Sequence, residues 1–122
     1  MRSALLLCVS LVAMATPLHG SDPLRISVSP AYSYAPSTLN VRLRLEPSAE
    51  NRAVEIIVDS ADFYRSSEIN LDGERAPATF ELKLRNVPGG DHQVVAVLKD
   101  HAGRPRATAA RGVTVMSMGD HN

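Results

Sequence analysis

The sequence predicts an all-β domain, a seven-stranded antiparallel sandwich of two sheets, and three observations support this prediction. Apolar and polar residues alternate in short runs along most of the chain, which is the pattern of strands that bury one face. Proline and glycine fall between these runs, where turns are expected. No segment carries a helical apolar stripe of useful length. Short strands with frequent turns are typical of a sandwich, because two sheets with one apolar face each can bury those faces together.

The seven predicted strands share this alternation, and we label them A, B, C, C′ (or D), E, F and G in chain order. In a sandwich of this kind, strands A, B and E form one sheet and strands C, F and G form the other. The apolar positions are Leu24, Ile26 and Val28 in A; Leu39, Val41, Leu43 and Leu45 in B; Val54, Ile56 and Val58 in C; Ile69 and Leu71 in C′ or D; Phe80, Leu82 and Leu84 in E; Val94, Ala96 and Leu98 in F; and Val113 and Val115 in G.

The first 20 residues have the composition of a bacterial signal peptide. Arg2 supplies a positive charge, and residues 4–15 are apolar except for one serine. A run of about a dozen apolar residues is too short for a stable bilayer span, which needs about 20. Thr16-Pro17 ends the run and disfavours the alternative of a buried core helix.

Small residues allow cleavage after Ala15 or after Gly20, and the sequence leaves both positions open. The chain is therefore predicted to divide into a signal peptide (1–20), a sandwich domain (21–116) and a polar C-terminal tail (117–122). We expect the mature protein to be periplasmic or secreted, with no membrane span after signal cleavage.

Composition excludes several classes of function. Cys8 is the single cysteine and lies within the predicted signal, so the mature domain has no thiol, disulfide or thiolate metal ligand. Arg2 is the only charged residue of the first 20, so the mature domain retains 12 of the 13 basic residues and all 13 acidic residues. This balance gives no general attraction for nucleic acid or anionic lipid.

Residues 84–94 resemble the E-to-F corner of fibronectin type III and bacterial immunoglobulin-like domains. In those domains a Pro-Gly turn is followed by Tyr-x-Val, and the tyrosine hydroxyl ties the corner to the preceding backbone. His92 stands where the tyrosine would be, and its imidazole can make a similar hydrogen bond. Residues 99–103 resemble the F–G hairpin, and Asn51-Arg52 precede strand C as in bacterial members. The resemblance spans about 90 residues and implies an immunoglobulin-like β-sandwich, a fold that hosts many unrelated functions.

The residue pattern predicts no catalytic centre and no cofactor. A nucleophilic enzyme needs an exposed serine or cysteine near a histidine and a carboxylate, and the chain has no G-x-S-x-G motif. Asp59, Asp62 and Asp72 lack the spacing of a calcium loop and suit turns instead. We therefore expect a protein that is not an enzyme.

The histidines leave a copper-binding alternative open. A blue-copper site requires a cysteine, which the mature domain lacks. Copper-resistance C-type periplasmic proteins are similar sandwiches that use a histidine at the mature N-terminus with further histidine and aspartate. Asp91-His92 and Asp100-His101 resemble that set loosely, and His19 joins them only if cleavage is early. We predict instead that His92 lies in a corner and His101 at a hairpin tip, with no metal bound.

An apolar stripe on strands C and F is the first candidate partner-binding site. Ile57, Val95 and Val97 are outward positions, and they adjoin if C and F are neighbours. Covering such side chains stabilises a contact by about 1.5–3 kcal/mol each, before the costs of binding. Two structural alternatives remain: the C–C′ segment with Tyr64 folds over the stripe, or the stripe reflects a β-rich central strand pair.

The outward face of strands A, B and E is polar and charged. We expect Arg42 and Arg44 to pair across strands with Glu81, and exposed pairs of this kind contribute from tenths of a kcal/mol to about 1 kcal/mol. The outward positions are Arg25, Ser27, Asn40, Arg42, Arg44, Glu81, Lys83 and Arg85.

Tyr32 and Tyr34 are the second candidate site. They lie in the proline-flanked stretch 29–36, which suits a rigid recognition loop and also the end-cap of a sandwich. Tyr64, between Phe63 and Arg65 in the C–C′ connection, has the same two interpretations.

The sequence thus predicts an exported, non-enzymatic module that acts through protein contacts or as a structural accessory of the cell envelope. The expected partner is another cell-envelope protein. The alternatives are a small copper carrier and a carbohydrate-binding module that uses Tyr32, Tyr34 or Tyr64; the absence of tryptophan disfavours the second.

Overall fold

The fold was examined in a computed structural model that describes residues 23–117. These residues form eight strands and one short 3-10 turn. The predicted signal, its cleavage sites, His19 and His121 lie outside the described residues. The elements are β1 (Leu24–Ser29), β2 (Tyr32–Tyr34), β3 (Ser37–Leu45), β4 (Ala53–Asp59), β5 (Tyr64–Asn70), the turn Gly73–Arg75, β6 (Thr79–Val87), β7 (Gly90–Lys99) and β8 (Pro105–Met116).

Two sheets are present, which confirms the predicted all-β class and the grouping of the strands. One sheet has three strands in the order β1-β3-β6, and the other has five in the order β2-β8-β7-β4-β5. All neighbours are antiparallel except β2 and β8, which run parallel. The fourth predicted strand is a C′ strand, because β5 pairs with β4 in the five-stranded sheet.

The described residues contain eight strands where the sequence predicted seven. The additional strand is β2, which is only three residues long and lies between two prolines. The predicted C′ strand also differs, since it begins at Tyr64 and ends at Asn70, one residue before Leu71. As an edge strand with one neighbour, β5 is mostly exposed and has a weak apolar alternation.

The core lies between the two sheets and is built from the alternate residues that the sequence pattern marks. In β3 every second residue from Ser37 to Leu45 is buried, and the others are exposed. Leu39 and Leu43 of the three-stranded sheet and Ile56 and Leu98 of the five-stranded sheet are among the largest fully buried side chains. Full burial of such a side chain stabilises the fold by about 1.5–3 kcal/mol.

His92 closes the corner between β6 and β7. Its imidazole is 1% exposed, and Nε2 lies 2.7 Å from the backbone oxygen of Pro88. Because a carbonyl oxygen only accepts, Nε2 is the protonated nitrogen. The hydrogen bond expected from the sequence is therefore present. Phe63 packs edge-on against the imidazole, with 5.7 Å between ring centroids, so the corner is also joined to the β4–β5 connection.

Asn51 joins three connections at the opposite end of the sandwich. Its side chain is buried and donates from Nδ2 to the Glu46 oxygen at 2.9 Å, while Oδ1 accepts from Nη1 of Arg106 at the start of β8. Its backbone oxygen accepts from Gly73 N–H at 3.1 Å. Gly73 has φ of 56°, and a Cβ there would lie 3.3 Å from the Ala49 oxygen, so glycine suits this close approach.

Asp100 organises the turn between β7 and β8. Its Oδ1 accepts from the backbone N–H groups of Ala102 and Arg104, each at 2.9 Å, and its Oδ2 accepts from Nε of Arg104 at 3.2 Å. The hydrogen bond from the Arg104 backbone, followed by the one from Ala102 and by the Arg104 charge, lowers the pKa of Asp100 below its ordinary value of 3.8.

We expect this turn to loosen in acid, because only the ionised carboxylate accepts all of these hydrogen bonds. The stabilisation is complete above pH 3.8 and is lost as the pH falls through the lower pKa of folded Asp100. The measurement is an NMR titration of the Ala102 and Arg104 amide shifts, with an expected midpoint below 3.8. Asp100→Asn should abolish the transition, and a midpoint at or above 3.8 would contradict the assignment.

Candidate interaction face on the five-stranded sheet

The outer face of the five-stranded sheet carries all six side chains that the sequence predicted as partner contacts. Residues alternate between the two faces of a strand, and directly paired residues share a face. Val58 and Val94 point into the core, so their neighbours Ile57, Asp59 and Val95 point outward. We call this surface the outer face, formed by the outward residues of β2, β8, β7, β4 and β5.

The predicted apolar stripe occupies the centre of the outer face. Strands β4 and β7 are neighbours, and Ile57 lies directly opposite Val95, while Val97 lies opposite Glu55. All three apolar side chains are half-buried, and Ile57 and Val95 are close enough across the strand pair to contact each other. Nζ of Lys99 lies 2.8 Å from Oε1 of Glu55 beside the stripe.

This ion pair bounds the stripe on one side. The hydrogen bond from Lys99 to Glu55, with the added attraction of Glu55 and Glu68, raises the pKa of Lys99. The pKa shift thus reflects the attraction between Lys99 and the two glutamates, which favours the charged form of the lysine. On this side the apolar stripe adjoins two side chains of opposite charge that neutralise each other.

Tyr32 and Tyr34 lie on the outer face beyond one end of the stripe. Ser33 between them points inward, where its Oγ lies 2.7 Å from Oγ of Ser37, so both tyrosines point outward. They are 70% and 60% exposed. Tyr34 is aligned with Met116 of β8, which is also exposed. The sequence did not single out Met116, although the alternation of Val113 and Val115 places it outward.

Tyr64 lies at the opposite edge of the outer face. It pairs with Asp59 and is 63% exposed. Its neighbour Phe63 is half-buried against His92, and the guanidinium of Arg65 lies 5.0 Å from the centroid of the Phe63 ring. The two adjacent aromatic residues therefore differ: Phe63 packs on the inner side of the sheet, and Tyr64 is largely exposed beside the stripe.

Polar residues separate the tyrosines of β2 from the stripe. Tyr32 aligns with Thr114, which in turn aligns with Asp91 of β7. Asp91 lies four residues before Val95, so Tyr32 and Val95 are separated by about 13 Å along the strands and about 10 Å across them. Oγ1 of Thr114 donates to Oδ1 of Asp91 at 2.9 Å. The face therefore offers a central aliphatic patch and two flanking aromatic patches rather than one continuous apolar surface.

The outer face of the three-stranded sheet differs in character. Arg42 and Glu81 are directly paired there, and Nε of Arg42 donates to Oε2 of Glu81 at 2.9 Å, as the sequence predicted. The same prediction was wrong for Arg44, because the register places Arg44 opposite Thr79. The hydrogen bond and charge of Arg42 lower the pKa of Glu81. Lys83 similarly donates to Oδ1 of Asn40 at 3.0 Å. Every large exposed hydrophobic side chain in residues 23–117 lies instead on the outer face of the other sheet.

The two described histidines lie at opposite ends of β7. His92 is buried in the β6–β7 corner, whereas His101 is exposed in the turn after the strand. Within residues 23–117 no group of three or more histidine, cysteine, aspartate or glutamate side chains is arranged to hold a metal ion. The Asp91-His92 and Asp100-His101 pairs are therefore not brought together. No helix in this part of the chain is long and apolar enough to cross a membrane.

Comparison with protein-family models gave no match for this chain, and comparison with curated proteins gave no significant match either.

Proposed function

We propose that this chain is an exported, non-enzymatic immunoglobulin-like module that binds another cell-envelope protein through the outer face of the five-stranded sheet. The observation that carries the proposal is the placement of the exposed hydrophobic side chains. Tyr32, Tyr34, Tyr64 and Met116 share that face, while the opposite outer face is charged and polar.

The chemistry of the face suits protein recognition. Tyrosine presents a large rigid ring with a polar hydroxyl, and it is enriched where protein interfaces form. The half-buried apolar stripe of Ile57, Val95 and Val97 lies between the aromatic patches. A partner that covers the apolar stripe and contacts the tyrosines on both sides would bury apolar surface and form hydrogen bonds with the tyrosine hydroxyls. This combination is common in interaction hot spots.

Two further features support the immunoglobulin-like and exported parts of the proposal. The three-plus-five arrangement of sheets is compatible with an immunoglobulin-like sandwich, and the hydrogen bond of His92 to Pro88 is the one expected from the E-to-F corner resemblance. Residues 1–20 have the charge and apolar pattern of a signal peptide.

The proposal is tested by photo-crosslinking in the cell envelope. A photoreactive amino acid replaces Tyr32, Tyr64 or Val95 on the outer face, or Lys83 or Arg85 on the opposite face as matched controls. We expect the three outer-face positions to give one common adduct and the controls to give none. Mass spectrometry of the same protein should show a chain that begins after Ala15 or Gly20.

A pair of substitutions that introduces negative charge sharpens this test. Val95→Glu with Val97→Glu buries two carboxylates in any interface, so we expect the Tyr32 and Tyr64 adducts to fall at least about tenfold. Lys83→Glu is the matched control and should leave them unchanged. Circular dichroism of each variant shows whether the fold is kept. Adducts from the control positions alone, or adducts that survive the double substitution, would refute the assignment of this face.

A further inference from the structure

One edge of the five-stranded sheet is open along most of its length. Strand β8 runs from Pro105 to Met116, but β2 pairs only with its last three residues, Thr114 to Met116. Among the described residues no other strand pairs with this side of β8. Residues 105–113 therefore present a free strand edge, which is a template for another strand.

The direction of the backbone groups on this edge follows from the β2 contacts. Thr114 N–H donates to the Ala31 oxygen at 2.9 Å, and the Met116 oxygen accepts from Ala35 N–H at 2.8 Å. Even-numbered residues of β8 thus point their N–H and C=O groups away from β7. The register with β7 is regular from Ala107 to Val115. The backbone groups of Thr108, Ala110 and Gly112 consequently point to the open edge.

A groove of about 710 Å³ lies along this edge, between β8 and the facing residues of β1. Ala107, Thr108 and Ala109 form one wall, and Leu24 and Ile26 belong to the other. An extended chain that paired with the exposed backbone groups of β8 would run along this groove and contact its lining residues. The groove lies at the side of the sandwich and meets the outer face at Thr108, which lies opposite Val97.

Arginines dominate the charge of the groove. Arg25, Arg42, Arg44 and Arg111 line it, and no aspartate or glutamate does. Arg25 lies directly opposite Arg44 on β1 and β3, and like charges in that position destabilise a strand pair. The salt bridges within residues 23–117 include Arg42 but none of the other three arginines. An anionic occupant would relieve this repulsion.

We propose that the groove binds an extended acidic segment of a partner protein as an added strand, in line with β2. Backbone groups of Thr108, Ala110 and Gly112 would form the ladder, as in β-strand addition, and acidic side chains would meet Arg25, Arg44 and Arg111. Nη1 of Arg111 donates to the Ala110 oxygen at 2.9 Å, so this arginine covers the edge in the absence of a partner. On binding, Arg111 exchanges that carbonyl for a carboxylate.

The test follows amide hydrogen exchange in the purified protein with two synthetic peptides. One alternates glutamate with valine over about nine residues, and the other has lysine in place of each glutamate. At about 1 mM, the glutamate peptide should slow exchange of the Thr108, Ala110 and Gly112 amides about tenfold or more, because these N–H groups gain acceptors. The amides of Ala109 and Arg111 already face β7 and should change less.

Two sets of variants test separately the backbone hydrogen bonds of β8 and the arginine charges of the groove. Ala110→Pro removes an edge-facing N–H without touching the β7 ladder, and protection of Thr108 and Gly112 by the peptide should disappear. Arg25→Ser with Arg44→Ser keeps the edge intact and should weaken peptide binding about fivefold. Arg85→Ser, on the far strand β6, is the matched control and should leave binding unchanged.

Three results would overturn the proposal. The first is equal protection by the lysine peptide, and the second is no protection of the three amides at about 1 mM peptide. The third is protection that appears without peptide and rises with protein concentration, which would assign the edge to a second copy of the chain. Each readout is confined to β8, so failure here is distinct from failure of the outer-face crosslinks.

Discussion

His92→Ala should lower the free energy of unfolding by about 2–4 kcal/mol, which would make it one of the most damaging substitutions of a polar residue in this domain. The imidazole is almost fully buried and holds the Pro88 oxygen, so its removal leaves a cavity and an unpaired carbonyl at the corner. The edge contact with Phe63 is lost at the same time. Urea unfolding at pH 7.5 measures the loss.

His92→Gln is the matched control for the hydrogen bond. The amide nitrogen of glutamine reaches the position of Nε2, so it keeps a donor for Pro88 while it loses the ring that packs on Phe63. We expect about half of the loss caused by alanine. Equal destabilisation by alanine and glutamine would show that ring packing, and not the hydrogen bond, stabilises the corner.

The second large effect is expected for Asn51→Ala, with a loss of about 2–3 kcal/mol. The substitution removes the donor to the Glu46 oxygen and the acceptor for Arg106 in a buried position. It leaves the guanidinium without this partner, although Nε of Arg106 lies 3.6 Å from Oε1 of Glu50. Thermal and urea unfolding give the free energy of unfolding.

A double-mutant cycle with Arg106→Ala isolates the contact between the two side chains. We expect a coupling energy of about 1–2 kcal/mol between Asn51 and Arg106, because the hydrogen bond has a charged donor and is partly buried. Asn51→Asp keeps the acceptor and adds a negative charge, so it should retain the coupling with Arg106 while it loses the donor to the Glu46 oxygen. Fully additive effects of the two single substitutions would show that the Asn51 side chain stabilises the fold through its hydrogen bond to the Glu46 oxygen and not through Arg106.

The regular strands could be predicted because their burial alternates strictly. The inward set of β3 and β7 follows directly from the pattern of apolar residues, and the pairing of Arg42 with Glu81 follows from the register of β3 and β6. The hydrogen bond of His92 is predicted only by the resemblance of residues 84–94 to an E-to-F corner, since nothing in the surrounding composition specifies a corner. Placement of Ile57 beside Val95 needed only that β4 and β7 be neighbours.

Two parts of the candidate site depend on contacts that the sequence pattern does not reveal. Strand β2 is too short for alternation to be recognised, so the sequence pattern predicts a recognition loop or an end-cap where Tyr32 and Tyr34 belong to the sheet. The same three residues decide how much of β8 stays open. The arginine groove arises where the edges of two sheets meet, and residues distant in sequence such as Arg25 and Arg111 line it together.

The parallel pairing of β2 with β8 also sets how the domain responds to tension. The chain enters β2 at one end of this pair and leaves β8 at the other, so tension that reaches β2 after β1 has detached from β3 slides the two strands along each other. The bonds from Thr114 to Ala31 and from Ala35 to Met116 are then loaded together in shear, not opened in turn as in a hairpin. For a module tethered at both ends, these few residues form a mechanical latch on the sandwich.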